Sequence, residues 1–295
     1  MRVLRDADLP DAVALADDLL IQGDNADVLA RLPADAFDMA YLDPPFNTGA
    51  TRRHERLRAV ADVDGARTGF GGRRYATHAL GGALAYDDAF DDYLGFLMGR
   101  LAAVRRVLAP HGTLYVHLDP REAHYVKVAL DDLFGRACFL NEIVWAYDYG
   151  AKARRRWPAK HDTILVYVKD PDRYHFDDAE VDREPYMAPG LVTPAQRARG
   201  KRPTDVWWHT IVPTRGVERT GYPTQKPMGI VRRMVAASSR PGGWCLDAFA
   251  GSGTLGAAAR ELGRRFVLID ESPDAVAVAS ARLGGEDRAS AAGKP

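Results

Sequence analysis

Between Met39 and Gly49 the chain reads MAYLDPPFNTG, an apolar run that ends in a carboxylate, two prolines, an aromatic ring and an amide. Proline fixes its own φ and has no amide hydrogen for a ladder, so this spacing predicts a strand that stops at Asp43. Each proline also holds the residue before it extended. The outcome is a stiff platform with one carboxylate, one aromatic face (Phe46) and carbonyls lacking nearby amide partners. A carboxylate and fixed carbonyls are acceptors, and an aromatic face is a stacking surface. The same residues also make a capped strand end without chemistry, so the rest of the chain has to decide.

A second stretch, WCLDAFAGSGTLGAAARELGRRFVLIDESP, holds G-x-G-x-x-G at Gly251, Gly253 and Gly256. It sits between an expected strand and an expected helix, and Asp270 ends the strand after that helix. Glycines there let a ligand approach the backbone, and the acid holds ribose hydroxyls. A tight strand-to-helix turn that uses glycine only for its dihedrals is the other reading. The chain beyond Gly251 has room for one more strand and a helix, so the remaining strands come from upstream. The sheet is then circularly permuted relative to an ordinary dinucleotide-binding domain. Ligands of such sheets bind beyond the carboxyl ends of the strands. Permutation therefore puts the glycine turn and the Asp43 platform on one rim.

The elements that must position them alternate. LADDLLIQGDNADVLARLP reads as a strand to Gly23 and a helix opened by Asp24 or Asn25. DDYLGFLMGRLAAVRRVLAPHGTLYVHLD reads as a helix, a Pro-His-Gly turn and a buried strand, and REAHYVKVALDDLFG as a helix. FLNEIVWAY and TILVYVK are strand-like, and residues 226–283 run helix, strand, turn, helix, strand, helix. Strands alternating with helices predict a mostly parallel sheet covered on both faces. Residues 50–85, rich in Gly and Arg, and 150–225, rich in Pro and Arg, break the rhythm, and 285–295 read as a disordered tail. The 295 residues are 46% hydrophobic, enough for a large core, and forty basic side chains cancel forty acidic ones. Any polyanion is thus held by local patches. Cys138 and Cys245 have no metal-ligand spacing and read as buried thiols. Acids interrupt the N-terminal apolar runs, unlike a signal peptide, and no stretch approaches a membrane span, so a cytoplasmic protein is expected.

DPPF (Asp43 to Phe46) followed far downstream by FAGSGT (Phe249 to Thr254) resembles the S-adenosylmethionine-dependent amino-group DNA methyltransferases. The order, catalytic motif first and cofactor motif last, resembles their beta class. TQKP (Thr224 to Pro227) resembles that family's carboxylate-binding lysine motif, LIQGDNADVL its adenine-side strand, and the run from GTLYVHLD to KHDTILVYVK its middle. The fold implied is α/β: a Rossmann-like, mostly parallel, circularly permuted sheet plus an irregular target-recognition region. The implied parts are a catalytic half over 1–149, target recognition over 150–222 and a cofactor half over 223–284.

The resemblance implies methyl transfer from S-adenosylmethionine to an exocyclic amine of a base in double-stranded DNA, adenine N6 ahead of cytosine N4. Such an amine is a poor nucleophile because its lone pair is delocalised into the ring, so acceptors for its hydrogens are needed. Asp43 and the carbonyl of Pro44 would accept, Pro45 would stiffen the platform and Phe46 would stack on the base. Methylation at cytosine carbon 5 would need a Pro-Cys pair, and neither cysteine follows a proline. The cofactor would meet Asp24, Asn25, Asp43, Lys226, Asp247, Phe249, Ala250, Gly251, Ser252, Gly253, Thr254 and Asp270. Of these, Lys226 would pair with its carboxylate, and Asp24 would bind its adenine amino group. No metal is required. Arg52, Arg53, Arg154, Arg155 and Arg156 would grip phosphates, or form a solvated basic face. Trp207 and Trp208 are expected in the core or the cofactor pocket, and His161 and His209 as structural histidines. A homodimer and a cognate restriction endonuclease are the further partners. RNA or protein-glutamine methylation, a nicotinamide-dependent oxidoreductase and a silent DNA-binding module are the alternatives.

Overall fold

A computed structural model describes the chain except residues 48–51, 55–56, 62–66, 69–73, 80–83, 87–89, 151, 214–215 and 285–295. In chain order its elements are β1 (Arg2–Arg5), β2 (Leu19–Gln22), α1 (Asn25–Arg31), β3 (Phe37–Leu42), β4 (Arg52–His54), β5 (Leu57–Ala61), β6 (Arg67–Thr68), β7 (Arg74–Ala79) and β8 (Leu84–Tyr86). There follow α2 (Tyr93–Val107), β9 (Leu108–Leu118), α3 (Ala123–Phe134), β10 (Phe139–Ala146), β11 (His161–Val168), α4 (Pro194–Arg199) and β12 (Val206–Trp208). The chain closes with α5 (Met228–Ser238), β13 (Trp244–Asp247), α6 (Thr254–Glu261), β14 (Arg265–Asp270) and α7 (Pro273–Gly284). The expected tail at 285–295 lies outside the described residues.

Nine strands form one sheet in the order β1-β2-β14-β13-β3-β9-β11-β10-β12. Pairing is parallel from β1 through β9 and between β10 and β12, whereas β11 runs antiparallel to both its neighbours. The mostly parallel sheet read from the alternation is borne out. All six residues of β3 are buried, which a strand covered on both faces requires. Each large apolar side chain fully buried this way contributes roughly 1.5–3 kcal/mol. One face packs on α5 and α6 through Ile230, Val231, Met234, Leu255 and Ala258. Both cysteines are buried free thiols, and burial raises that of Cys245 to about 12. Among the described residues no helix is long and apolar enough to cross a membrane.

Three expectations need correction. The Pro-His-Gly turn is instead an irregularity inside β9, where the pairing of Phe37 with Leu108 jumps to that of Met39 with Thr113. The ladder resumes beyond the proline. The boundary at residue 150 runs through the sheet, because β11 and β12 are hydrogen-bonded members of it. The chain divides elsewhere: Met1–Pro44 with Leu94–Pro295 form one compact unit and Pro45–Tyr93 a second. Within the second, β4 pairs with β8 and β7 lies between β5 and β6, all antiparallel. Thirdly, Trp207 is buried as expected but Trp208 is 73% exposed, because successive side chains of the edge strand β12 point to opposite faces.

Candidate active site

Strand register builds the rim. Tyr41 pairs with Asp247, Asp247 with Leu268, and Leu268 with Leu20, all in parallel. Asp43 lies two residues beyond Tyr41 and Asp270 two beyond Leu268, so the carboxyl ends of β3, β13, β14 and β2 bring their acids to one edge. The glycine turn and the platform do share it.

At the turn, Gly251 and Gly253 have φ of 48° and 70°, the left-handed region that glycine enters without strain. A Cβ on Gly251 would stand 3.1 Å from the Tyr222 ring, and one on Gly253 would stand 3.0 Å from Ala279. Ala250 N–H donates to Ile269 O at 2.9 Å. Asp270 accepts from Gly251 N at 2.7 Å and from Ser272 N at 2.9 Å, and burial raises its pKa. Asp247 is fully enclosed and accepts from Phe249 N at 3.0 Å. Burial pushes it well above the carboxylate range, and the charges of Asp43 and Asp270 add to that. Arg282 Nη1 braces the turn by donating to Thr254 Oγ1 at 2.9 Å and Ser252 O at 3.3 Å. Phe249 lies beside Phe96, ring centroids 6.3 Å apart.

Opposite the turn, Asp24 caps α1 by accepting from Ala26 N at 2.7 Å and pairs with Arg100 at 3.1 Å. Asn25 is buried, donates to Ala248 O at 2.6 Å and accepts from Arg100 Nε. These bonds tie α1 to the end of β13.

The platform carboxylate has two unlike oxygens. Asp43 Oδ2 is ion-paired with Lys226, whose own carbonyl accepts from Thr254 Oγ1 at 3.3 Å. The lysine is held by a fixed loop: buried Gln225 accepts from Thr220 N at 2.8 Å and donates to Glu218 O at 2.7 Å, and Pro227 caps α5. Asp43 Oδ1 is buried and accepts no hydrogen bond among the described residues, and it lies 3.9 Å from His117 Nδ1. His117 is fully buried in β9 between Tyr41, whose hydroxyl is 2.8 Å from Nδ1, and Asp162, 3.1 Å from Nε2. Asp162 also accepts from Tyr147 OH at 3.0 Å.

The chain matches the DNA methylase family model over residues 37–281. It is 30% identical to the type II methyltransferase M.HpaI of Haemophilus parainfluenzae over 274 residues, 92% of this chain and 75% of that protein. It belongs to the N6/N4 DNA methylase family. To the DNA adenine methyltransferase YhdJ of Escherichia coli K12 it is 28% identical over 272 residues, 90% of this chain and 82% of that one. Among solved folds it resembles the cytosine-N4-specific PvuII DNA methyltransferase, with a TM-score of 0.62, 14% identity and coverage of 91% and 86%. The M1.HpyAVI–SAM complex is also similar, with a TM-score of 0.57, 19% identity and coverage of 90% and 98%. Members of this family are S-adenosylmethionine-dependent, and the rim fits that group: a turn whose Gly251 and Gly253 carry no Cβ, the buried acid Asp270 against that turn, and the cation Lys226 at Asp43.

Of the residues that the DNA methylase resemblance singled out, Asp43, Lys226, Asp247, Asp270 and the 249–254 turn meet at one edge of the sheet. Pro44 is buried next to Asp43, whereas Pro45 and Phe46 open the second unit. Arg154, Arg155 and Arg156 are exposed and make no ion pair among the described residues. Arg52 and Arg53 lie on β4 of the second unit. His209 Nδ1 lies 2.8 Å from Thr210 O. Sequence reasoning missed Arg100, Arg282 and the His117–Asp162 pair. The one signal for the pair was an ionisable residue within the buried run of each of two strands.

Proposed function

We propose that this protein transfers a methyl group from S-adenosylmethionine to an exocyclic amino group of a base flipped out of duplex DNA, adenine N6 in preference to cytosine N4. The observation that carries this reading is Asp43 Oδ1: a buried carboxylate oxygen without a hydrogen bond, on the rim that bears the Gly251 turn. An acceptor there takes the hydrogens of the amine and favours the pyramidal, nucleophilic nitrogen. The carbonyl of Pro44 is the second acceptor. When bound, S-adenosylmethionine supplies an electrophilic methyl on a sulfonium. Lys226 pairs with its carboxylate and Asp270 accepts from its ribose hydroxyls with the lone pairs that Gly251 and Ser272 leave. Asp24 and Asn25 border its adenine. Flipping the base costs a few kcal/mol, and Arg154, Arg155 and Arg156 hold the phosphates while it happens. The 28% identity to an enzyme named for adenine supports that base over cytosine, for which the support is a likeness of fold at 14% identity.

The test is methyl transfer from labelled S-adenosylmethionine to duplex DNA, RNA and protein, followed by nucleoside analysis. Label in N6-methyladenine is expected. Label in N4-methylcytosine would reassign the base, and label confined to RNA or protein would overturn the reading.

A further inference from the structure

Behind Asp43 a chain of polar groups, buried except for the half-buried Tyr147, crosses four neighbouring strands: Tyr41 on β3, His117 on β9, Asp162 on β11 and Tyr147 at the end of β10. Burying an imidazole and a carboxylate together is costly unless both are satisfied. Here both are, and the chain ends 3.9 Å from the oxygen of Asp43 that accepts no hydrogen bond. The hydrogen bonds assign the resting tautomer. Burial acts to raise Asp162, but the hydrogen bond to His117, the charge of Lys226 and the bond from Tyr147 act against it and the net shift is downward, so the carboxylate is ionised and takes Nε2–H. Burial keeps Tyr41 a phenol, reinforced by the charges of Asp43, Asp247 and Asp162. With the ring hydrogen on Nε2, the Tyr41 hydroxyl donates to Nδ1, 2.8 Å away. The far side of the His117 ring is fixed by a carboxylate, an arrangement that orients an imidazole and strengthens it as a base.

Amino-group methylation has a use for such a base. Each transfer forms the carbon–nitrogen bond while the electron pair of the carbon–sulfur bond stays on sulfur, and the nitrogen is left with two hydrogens and a positive charge. One proton must go. Asp43 accepts it first, and with 16% of its side chain exposed it has little water to pass it to. We propose that His117, braced by Asp162, receives that proton from Asp43, a step that rests on the amino-group reading above. Asp43 Oδ1 turns toward Nδ1, the Tyr41 hydroxyl swings its hydrogen away, and the proton crosses. Asp43 is again a carboxylate, and His117 is an imidazolium between two carboxylates. The site then holds as a proton the positive charge that arrived on the sulfonium. His117 acts through Asp43 and is a positioning residue for the reaction. Among the described residues the titratable groups around it include Tyr41 and Asp43 from β3 and its end, Asp162 from β11, Tyr147 from the end of β10 and Lys226 ahead of α5.

The experiment uses the full chain, S-adenosylmethionine and a duplex that the wild type methylates, in single turnovers from about pH 5.5 to about pH 9. The wild-type rate should rise with pH through one ionisation, because a His117 that already carries a proton cannot take another. His117→Gln should lose that rise and be slowed about tenfold or more, with cofactor affinity by calorimetry unchanged. The imidazole NMR resonance missing from that variant should titrate, in the wild type, with the midpoint of the rate profile. Asp162→Asn keeps the shape of the site and should move the midpoint to lower pH, since an imidazole without its carboxylate is less basic. A His117→Gln protein with the wild-type rate and profile overturns the relay. If that variant does not fold, an unshifted midpoint in Asp162→Asn overturns it instead. A wild type that labels no DNA overturns the amino-group reading and the relay with it, whereas failure of the relay alone shows only in the variants.

Discussion

Lys226 and Asp43, 183 residues apart in the chain, form an ion pair at the carboxyl end of the sheet. Both side chains are mostly buried, 11% and 16% exposed. The cation expected to hold the cofactor carboxylate therefore holds the platform carboxylate, and cofactor binding and readiness of Asp43 become one event. A cofactor carboxylate that drew Lys226 away would free Asp43 of its cationic partner at Oδ2 while Oδ1 faces the target amine.

Asp43→Ala should accordingly separate the two functions. Loss of a transition-state acceptor costs on the order of 3 kcal/mol, or about a hundredfold or more in rate. Affinity for S-adenosylmethionine should hold or tighten, because Lys226 no longer has a competing partner. Single-turnover assays and calorimetry on the same preparation report both quantities. An active Asp43→Ala enzyme would sink the mechanism.

Gly251→Val and Lys226→Ala should act on the cofactor. A side chain at Gly251 must adopt φ of 48° and meets the Tyr222 ring at 3.1 Å, at the place where the backbone is left bare. Lys226→Ala removes the cofactor's cationic partner and leaves Asp43 Oδ2 unpaired in the free protein. Titration calorimetry should show weaker binding of S-adenosylmethionine by both. Unchanged affinity in the two variants would move the pocket elsewhere.

The parts of this site that were legible in the sequence are those in which local geometry restricts the residue. Prolines must end a strand, which located Asp43, and left-handed turns select glycine, which located Gly251. Asp24 or Asn25 read as the helix opener because a side-chain acceptor ahead of a helix caps it, and Asp24 is the cap. The pairing of Lys226 with Asp43 was not legible, since nothing local links residues so far apart. His117 and Asp162 were hidden for a related reason: each sits in a strand whose neighbours read as plain core, and only the register of β9 against β11 brings them together. The strands of 52–86 carry no apolar alternation and were not foreseen at all. Trp208 was misjudged because a two-tryptophan run does not say which member faces the core.

Asp38 offers a test of the fold apart from the chemistry. It is buried at the base of β3 and accepts from Arg240 N at 3.1 Å, Arg240 Nε at 3.0 Å and Arg240 Nη2 at 3.0 Å, with His111 Nε2 also at 3.0 Å. Burial acts to raise its pKa, but the bonds from Arg240 and His111 win and the net shift is downward. A carboxylate whose folded pKa is depressed stabilises the protein above its unfolded value, about 3.9, and that contribution is lost as pH falls through the folded value. Asp38→Asn should therefore cost roughly 2 kcal/mol at pH 7. The gap to wild type should narrow as pH falls below about 4. Urea denaturation at several pH values measures it, and a gap that widens in acid would contradict the assignment.

The grip on DNA can be tested through its dependence on salt. The chain carries forty basic and forty acidic side chains, so attraction to a duplex has to come from local patches. Arg154, Arg155 and Arg156 are exposed, lack ion-pair partners among the described residues, and precede Trp157, which is 95% exposed. Replacing the three arginines by alanine should weaken binding to duplexes of any sequence. It should also flatten the dependence of log K on log salt by up to about 0.9 for each phosphate no longer neutralised. Preference among sites should change little, since phosphate contacts position the protein and base contacts specify the sequence. Cofactor affinity should stay constant, because the residues that line the rim are untouched. Fluorescence anisotropy across a salt series, with a methylatable and an unrelated duplex, separates these effects. A triple variant that keeps both the affinity and the salt slope would make this run a solvated face and shift attention to the arginines of the second unit, beginning with Arg52 and Arg53.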